Sequence, residues 1–188
     1  SDGAGFAWVK NGKLIVEKGF FDFPSFLEEY NKIPDNKTIL LHFRATSRGA
    51  RSLENCHPFN VNNGLCFAHN GTFSIPIPNH LHSDTFHFNE EYLKPTIGKF
   101  TNLKLSFVKI LESAVGSNKM AFLNNQEKYY IVNEAQGHWD KGIWYSNSSY
   151  ARINHVTHWP LGGCGGGEEY YNKNNSVDSC RDWVQECL

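Results

Sequence analysis

The sequence has no apolar run near the ~20 residues that a helix needs to cross a bilayer, so a helical membrane span is excluded. It has no C-x-x-C pair, and a thiolate zinc site therefore lacks its usual spacing. It has no excess of either charge: 18 Lys and Arg stand against 19 Asp and Glu, for a formal net charge of -1. That balance argues against nucleic acid as a partner and against an acidic solvating tail. There is no internal repeat, and nothing resembles a nucleotide-binding site or a synthetase. Ser1-Asp2-Gly3 carries neither the basic nor the apolar region of a signal peptide. The initiator methionine is also missing, so the gene product is expected to start upstream.

Five cysteines form no tidy framework. Cys56 and Cys66 fall in or near expected strands, while Cys164, Cys180 and Cys187 lie near the end. An odd count without a secretory signal favours reduced thiols in a cytoplasm. Hydrophobic residues at 40% and charged residues at 20% are ordinary for a soluble globular protein with a real core. Nine histidines should raise the net charge below neutral pH.

Gly5 to Val9 reads as a strand, Asn11-Gly12 as a hairpin turn, and Leu14 to Val16 as the returning strand. Asp22 and Pro24 open a short helix through Tyr30 with Phe26, Leu27 and Tyr30 on its apolar face. Thr38 to Phe43 and Leu65 to His69 read as buried strands, the latter entered by a turn at Asn62-Asn63-Gly64. Ile75-Pro76-Ile77-Pro78 must be a loop. Ser83 caps a helix expected to run toward Leu93 and to stop before Pro95. Leu103 to Val115 is the clearest helix, with Leu103, Phe107, Ile110 and Leu111 on one face and Gly116 as its stop. Met120 to Leu123 and Lys128 to Val132 read as strands joined at Asn124-Asn125, and Ile143-Trp144-Tyr145 as one more. The order is α+β rather than strictly alternating. A boundary near Pro160 separates a domain of residues 1–160 from a Gly-rich, polar tail of residues 161–188, with a short helix expected around Arg181 to Cys187.

Several short motifs carry the chemistry. They are Asp2-Gly3, His42-Phe43-Arg44 with Ser47 and Gly49, Asn55-Cys56-His57-Pro58, His69-Asn70-Gly71, and Ser83-Asp84-Thr85. Taken singly, each has a plain structural meaning. Arg44 at a strand end suits an ion pair, and Asp84 suits a helix N-terminus. Asn70-Gly71 suits a turn. His57 suits a packed core position, and His42 and His69 suit hydrogen-bonded structural roles rather than metal ligation.

In this order and spacing the motifs, over residues 2 to 150, resemble the glutamine pocket of class II glutamine amidotransferases, an Ntn-hydrolase family. Gly142 to Tyr150 resembles a late strand and turn in compact stand-alone members, including phage-encoded ones. The resemblance implies an Ntn-hydrolase-like four-layer sandwich, two stacked antiparallel sheets flanked by helices. It implies that Asn70 and Gly71 form the oxyanion hole, a device worth roughly 3–4 kcal/mol per donor. It implies that Arg44, Thr46, Ser47, His69 and Asp84 bind substrate. Arg44 offers a planar fork to the α-carboxylate of glutamine, a hydroxyl of Thr46 or Ser47 adds a bond to it, and Asp84 pairs with the α-ammonium.

The family's nucleophile is an N-terminal cysteine on a strand preceding the Asp-Gly segment, so it is expected upstream of Ser1. Ser1 itself carries a hydroxyl but stands at the start of the wrong strand. Cys56 beside His57 invites a Cys-His pairing, yet neighbours on a strand point to opposite faces, so Cys56 is expected to be a buried thiol. The implied activity is hydrolysis of the glutamine side-chain amide, with ammonia passing to an unknown acceptor, on a synthetase partner for instance. No cofactor or metal is implied. The location would be cytoplasmic, in the host if the protein is phage-encoded. Two alternatives stand beside this reading: a non-catalytic binding or virion module on the same fold, and an amidohydrolase acting on another amide.

Overall fold

Asn11 and Gly12 both adopt positive φ (51° and 73°), the conformation that a two-residue hairpin turn demands. They join strand β1 (Ala4–Lys10) to β2 (Lys13–Phe20) in the computed structural model, which describes residues 2–149. The hairpin runs in register from Lys10 opposite Lys13 to Gly5 opposite Lys18. Helix α1 (Phe23–Tyr30) follows; the Asp22 side chain caps it by accepting the Ser25 N–H at 2.9 Å, with Pro24 in the first turn. Strand β3 (Leu40–Phe43) then pairs with the free side of β1, giving the order β2-β1-β3.

A second antiparallel sheet contains β4 (Phe59–Asn62), β5 (Leu65–Asn70), β6 (Lys119–Asn124) and β7 (Tyr129–Val132), in that order. Between β5 and β6 the chain forms helices α2 (Asp84–Phe88), α3 (Lys94–Ile97) and α4 (Leu105–Val115). A last hairpin of β8 (His138–Asp140) and β9 (Ile143–Tyr145) turns at Lys141-Gly142. The fold is α+β, with antiparallel sheets and few helices. None of its helices among the described residues is long and apolar enough to cross a membrane.

Strand alternation decides what packs where. Ala4, Phe6 and Trp8 of β1 face α1, and the Phe6 ring lies 5.9 Å from Phe26 and 5.8 Å from Tyr30. The intervening Ala7, with Leu14, Val16 and Leu40, faces the second sheet and meets Cys66 and Leu123 there. On its other face, the second sheet packs Phe67, Met120, Phe122 and Val132 against Leu93, Ile97, Val108, Leu111 and Val115. Removing the Phe67 or Phe122 side chain from this layer would cost about 3–5 kcal/mol.

Four local expectations need correction. The helix opened by Ser83 does not stop before Pro95. It widens into a π-helical turn over Asn89–Leu93, and Pro95 sits in the first turn of α3. The Lys94 N–H reaches back to the Asn89 carbonyl, so a widened turn absorbs the proline ring that would clash in a regular helix. Ile110 does not join the buried face of α4 but is 63% exposed. The helix begins two residues late, and its buried stripe is Val108, Leu111 and Val115; Ile110, two residues past Val108, lies on the opposite side. Strand β3 is shorter than Thr38 to Phe43 and only half-buried, because it lies at a sheet edge. Strand β4 and strand β8 were not evident in the pattern: at four and three residues they are too short to show a period. Ser1, the boundary near Pro160, the tail, its expected terminal helix, and Cys164, Cys180 and Cys187 lie outside the described residues.

Candidate functional site

Arg44 follows directly on β3. Its N–H donates to the Gly3 carbonyl, and its own carbonyl accepts from the Asp2 N–H, both at 2.8 Å. This extends the β1–β3 pairing and brings Asp2 to the site. The Arg44 side chain is buried, and its guanidinium donates to the Arg48 carbonyl at 2.7 Å and the Ala50 carbonyl at 3.1 Å. The loop after β3 is therefore wrapped around its own arginine.

Asn55 ties that loop to the entrance of α2. Its buried amide donates to the Ala50 carbonyl at 2.9 Å and the Leu81 carbonyl at 2.7 Å, and accepts the Ser83 N–H at 2.7 Å. Gly49 closes the same junction at φ +80°, where an added Cβ would lie 2.7 Å from the Ser83 nitrogen. Hydrogen bonds thus run from Arg44 through Ala50 and Asn55 to Ser83, the residue before Asp84.

Asp84 opens α2 under the Ser83 cap, whose hydroxyl accepts the Phe86 N–H at 3.1 Å. Its carboxylate is buried and accepts the Phe73 N–H at 2.5 Å. That bond attaches α2 to the chain leaving β5, where His69-Asn70-Gly71 stands.

The hydrogen bonds fix the His69 tautomer. The Asn118 amide nitrogen already donates to the Val115 carbonyl at 2.7 Å, so its oxygen accepts from His69 Nε2–H at 2.9 Å. Nδ1 is then the acceptor, and the Thr85 hydroxyl donates to it at 2.8 Å. With both nitrogens taken by the protein, His69 acts as a brace for the Asn70-Gly71 turn.

Gly71 adopts φ +140°, and an added Cβ would lie 2.1 Å from the Asn118 amide oxygen. Only glycine fits there. Among the described residues, neither the Asn70 side chain nor the Gly71 N–H has a hydrogen-bond partner. The two donors expected of an oxyanion hole are unspent.

The two hydroxyls separate by partner. Thr46 gives its N–H, at 2.8 Å, and its hydroxyl to the Asp2 carboxylate, which holds that carboxyl below its ordinary range. The Ser47 hydroxyl instead lies 3.5 Å from that of Thr72, next to Gly71. Ser47 is therefore the hydroxyl beside the turn.

Behind the turn, aromatic rings stack in a column. His42 lies 4.0 Å from His57, His57 lies 6.4 Å from His69, and His69 lies 3.9 Å from Phe73. His42 Nε2–H donates to the His69 carbonyl at 3.1 Å, and His57 Nδ1 accepts the His69 N–H at 3.1 Å. Burial pushes the His42 pKa down to about 4 and that of His57 well below its ordinary value; His69 is lowered too, against the pull of its Asn118 bond and nearby Asp84. These rings are hydrogen-bonded supports behind the turn.

Cys56 and Cys66 are free, buried thiols. Burial raises the Cys56 pKa despite Arg44 and Lys18 nearby, and pushes that of Cys66 up to about 12. Cys56 Sγ packs against Gly3, 2.4 Å from where a Cβ would stand.

Three supporting residues were not read from the sequence as parts of the site. Asp2 and Asn55 stood inside quoted motifs but had no role assigned. Asn118, 49 positions from its His69 partner, had no sequence signal. Known protein-family models and curated protein sequences include none that matches this chain.

Proposed function

We propose that this chain is a glutamine-binding domain of the class II amidotransferase kind. The observation that carries the reading is the Asn70-Gly71 turn, with two unspent donors held rigid by His69 and Asn118 beside Ser47. The two donors receive the amide oxygen, and Asp84 pairs with the α-ammonium. Arg44 carries five N–H donors, and those not committed to Arg48 and Ala50 meet the α-carboxylate. The packing order of helix, sheet, sheet, helix supports an Ntn-type four-layer sandwich.

Hydrolysis needs a nucleophile, which this family supplies as an N-terminal cysteine preceding the pocket. Its thiolate attacks the amide carbon while Asn70 and Gly71 stabilise the oxyanion. The C–N bond breaks, ammonia leaves with a proton, and water then cleaves the thioester to glutamate. Ammonia passes to an acceptor on another domain or protein. A cytoplasmic setting and a phage-type origin belong to this proposal.

A second reading, a binding module on the same scaffold, is favoured by the two thiols of the described residues. Both are buried and disfavoured as thiolates, so neither serves as nucleophile. Calorimetric titration with L-glutamine tests what the two readings share. Saturable binding that weakens at least tenfold in Asp84→Asn, the loss of about 1.4 kcal/mol, is expected. Asparagine keeps an oxygen for the Phe73 N–H, so the variant removes charge without removing that bond. Absence of binding to the unaltered protein overturns both.

A further inference from the structure

Beyond the Asn70-Gly71 turn, the loop after β3 has a second wall. Arg48, Gly49, Ile77, His80 and His82 line a cavity of about 400 Å³. Its two sides are fixed to each other before any ligand arrives. The Ala50 N–H donates to the Leu81 carbonyl at 2.9 Å, Asn55 bonds both of these residues, and Gly49 abuts the His82-Ser83 peptide. The His82 ring lies 4.0 Å from that of Phe86, which steadies it.

The lining is one-sided in its chemistry. Among the described residues, the guanidinium of Arg48 and the ring nitrogens of His80 and His82 have no hydrogen-bond partner. The neighbouring His87 differs, since its ring nitrogens are engaged by the Asn79 carbonyl and Glu91. Arg48 supplies N–H donors only, and each imidazole supplies at least one in any protonation state. Among the described residues no carboxylate lines the cavity; Glu54 interacts with His82 but is not part of the wall. Ile77 is the apolar part of the lining.

We infer that this cavity binds a small molecule bearing an anionic group, a carboxylate or a phosphate, with its apolar part against Ile77. Arg48 grips the anion by its planar fork, and His80 and His82 complete the donors. The inference does not rest on glutamine binding, since Arg48, His80 and His82 are not among the residues assigned to glutamine.

The test is an amide chemical-shift titration of the full chain with inorganic phosphate and, separately, with succinate. Saturable shifts centred on Gly49, His80 and His82 are expected with at least one probe, and the probe that binds more tightly identifies the anion. Arg48→Ala should weaken that binding at least tenfold, about 1.4 kcal/mol. Arg51→Ala serves as the control, since Arg51 is an exposed arginine that lies over Phe21 instead, and it should leave binding unchanged. Arg48 is exposed, so its truncation should preserve the fold and the remaining spectrum. Shifts that never saturate with either probe, or equal binding by Arg48→Ala, overturn the inference. Loss of glutamine binding in Asp84→Asn with anion binding retained separates the two sites.

Discussion

The amide oxygen of Asn118 accepts a hydrogen bond from Nε2 of His69 at 2.9 Å and fills the space that a Cβ on Gly71 would need. One side chain from the turn before β6 therefore sets both the tautomer of the histidine and the residue type two positions after it. It is the brace on which the unspent donors of Asn70 and Gly71 depend.

Gly71→Ala should be destabilising on two grounds, a positive φ and the overlap with Asn118. The expected loss is about 1–3 kcal/mol, read as a lower denaturant midpoint. Gly12→Ala is the comparison: its φ is also positive at 73°, but nothing lies within 4 Å of an added Cβ. Gly71→Ala should therefore cost more. An equal or smaller loss would remove the close approach to Asn118 as a determinant.

Asn55→Ala should be among the most costly polar substitutions. It strands the Ser83 N–H and removes a donor from two carbonyls, for a loss of about 2–4 kcal/mol. Amide exchange in residues 81–85 should accelerate with it, because the tie between the arginine loop and α2 is gone. Unchanged exchange there would show that the junction is held by other means.

The reach of sequence reading is clear from such pairs. Asn11-Gly12 and the Asp22 cap are local devices whose partners lie within three residues, and both stand where their residue types imply. Helix α2 begins where Ser83 implies, yet its course past Pro95 depends on a π-helical turn that no local propensity announces. In the site, the motifs marked Arg44, Asn70 and Asp84 as candidates but did not show the hydrogen bonds around them. Thr46 and Ser47 are adjacent and chemically alike; their partners separate them, Asp2 for Thr46, 44 positions away, and Thr72 for Ser47. Asn118 was illegible for the same reason: its role exists only once β5 and β6 are paired.

Acid should destabilise the fold before carboxylates titrate. The folded pKa values of His42, His57 and His69 are depressed, so below the ordinary histidine value the unfolded chain binds protons that the folded chain refuses. Stability should fall as pH drops from 6.5 toward about 4, where His42 itself protonates. Each such histidine contributes up to about 1.4 kcal/mol per pH unit in that window. Urea unfolding at stepped pH checks this, and His42→Gln should flatten the slope. A flat profile between pH 6.5 and 5 would mean the rings protonate in place.

Cys56 and Cys66 should resist alkylation while the protein is folded. Burial shields both and keeps them as thiols, with Cys66 at a pKa of about 12. Iodoacetamide followed by peptide mapping should label neither until denaturant is added. Rapid labelling of Cys56 in native buffer would reopen it as a nucleophile.

The most direct test of the glutamine pocket is the amide resonance of Gly71 as L-glutamine is added to the intact chain. The account predicts a saturable shift of Gly71 and of the Asn70 side-chain amide, accompanied by Ser47 and Asp84, and lost in Asp84→Asn. Saturation with D-glutamine should need a higher concentration, because the proposed contacts of Arg44 with the α-carboxylate and of Asp84 with the α-ammonium suit one hand of the α-carbon. Shifts confined to Arg48, His80 and His82, or none at all, would contradict it.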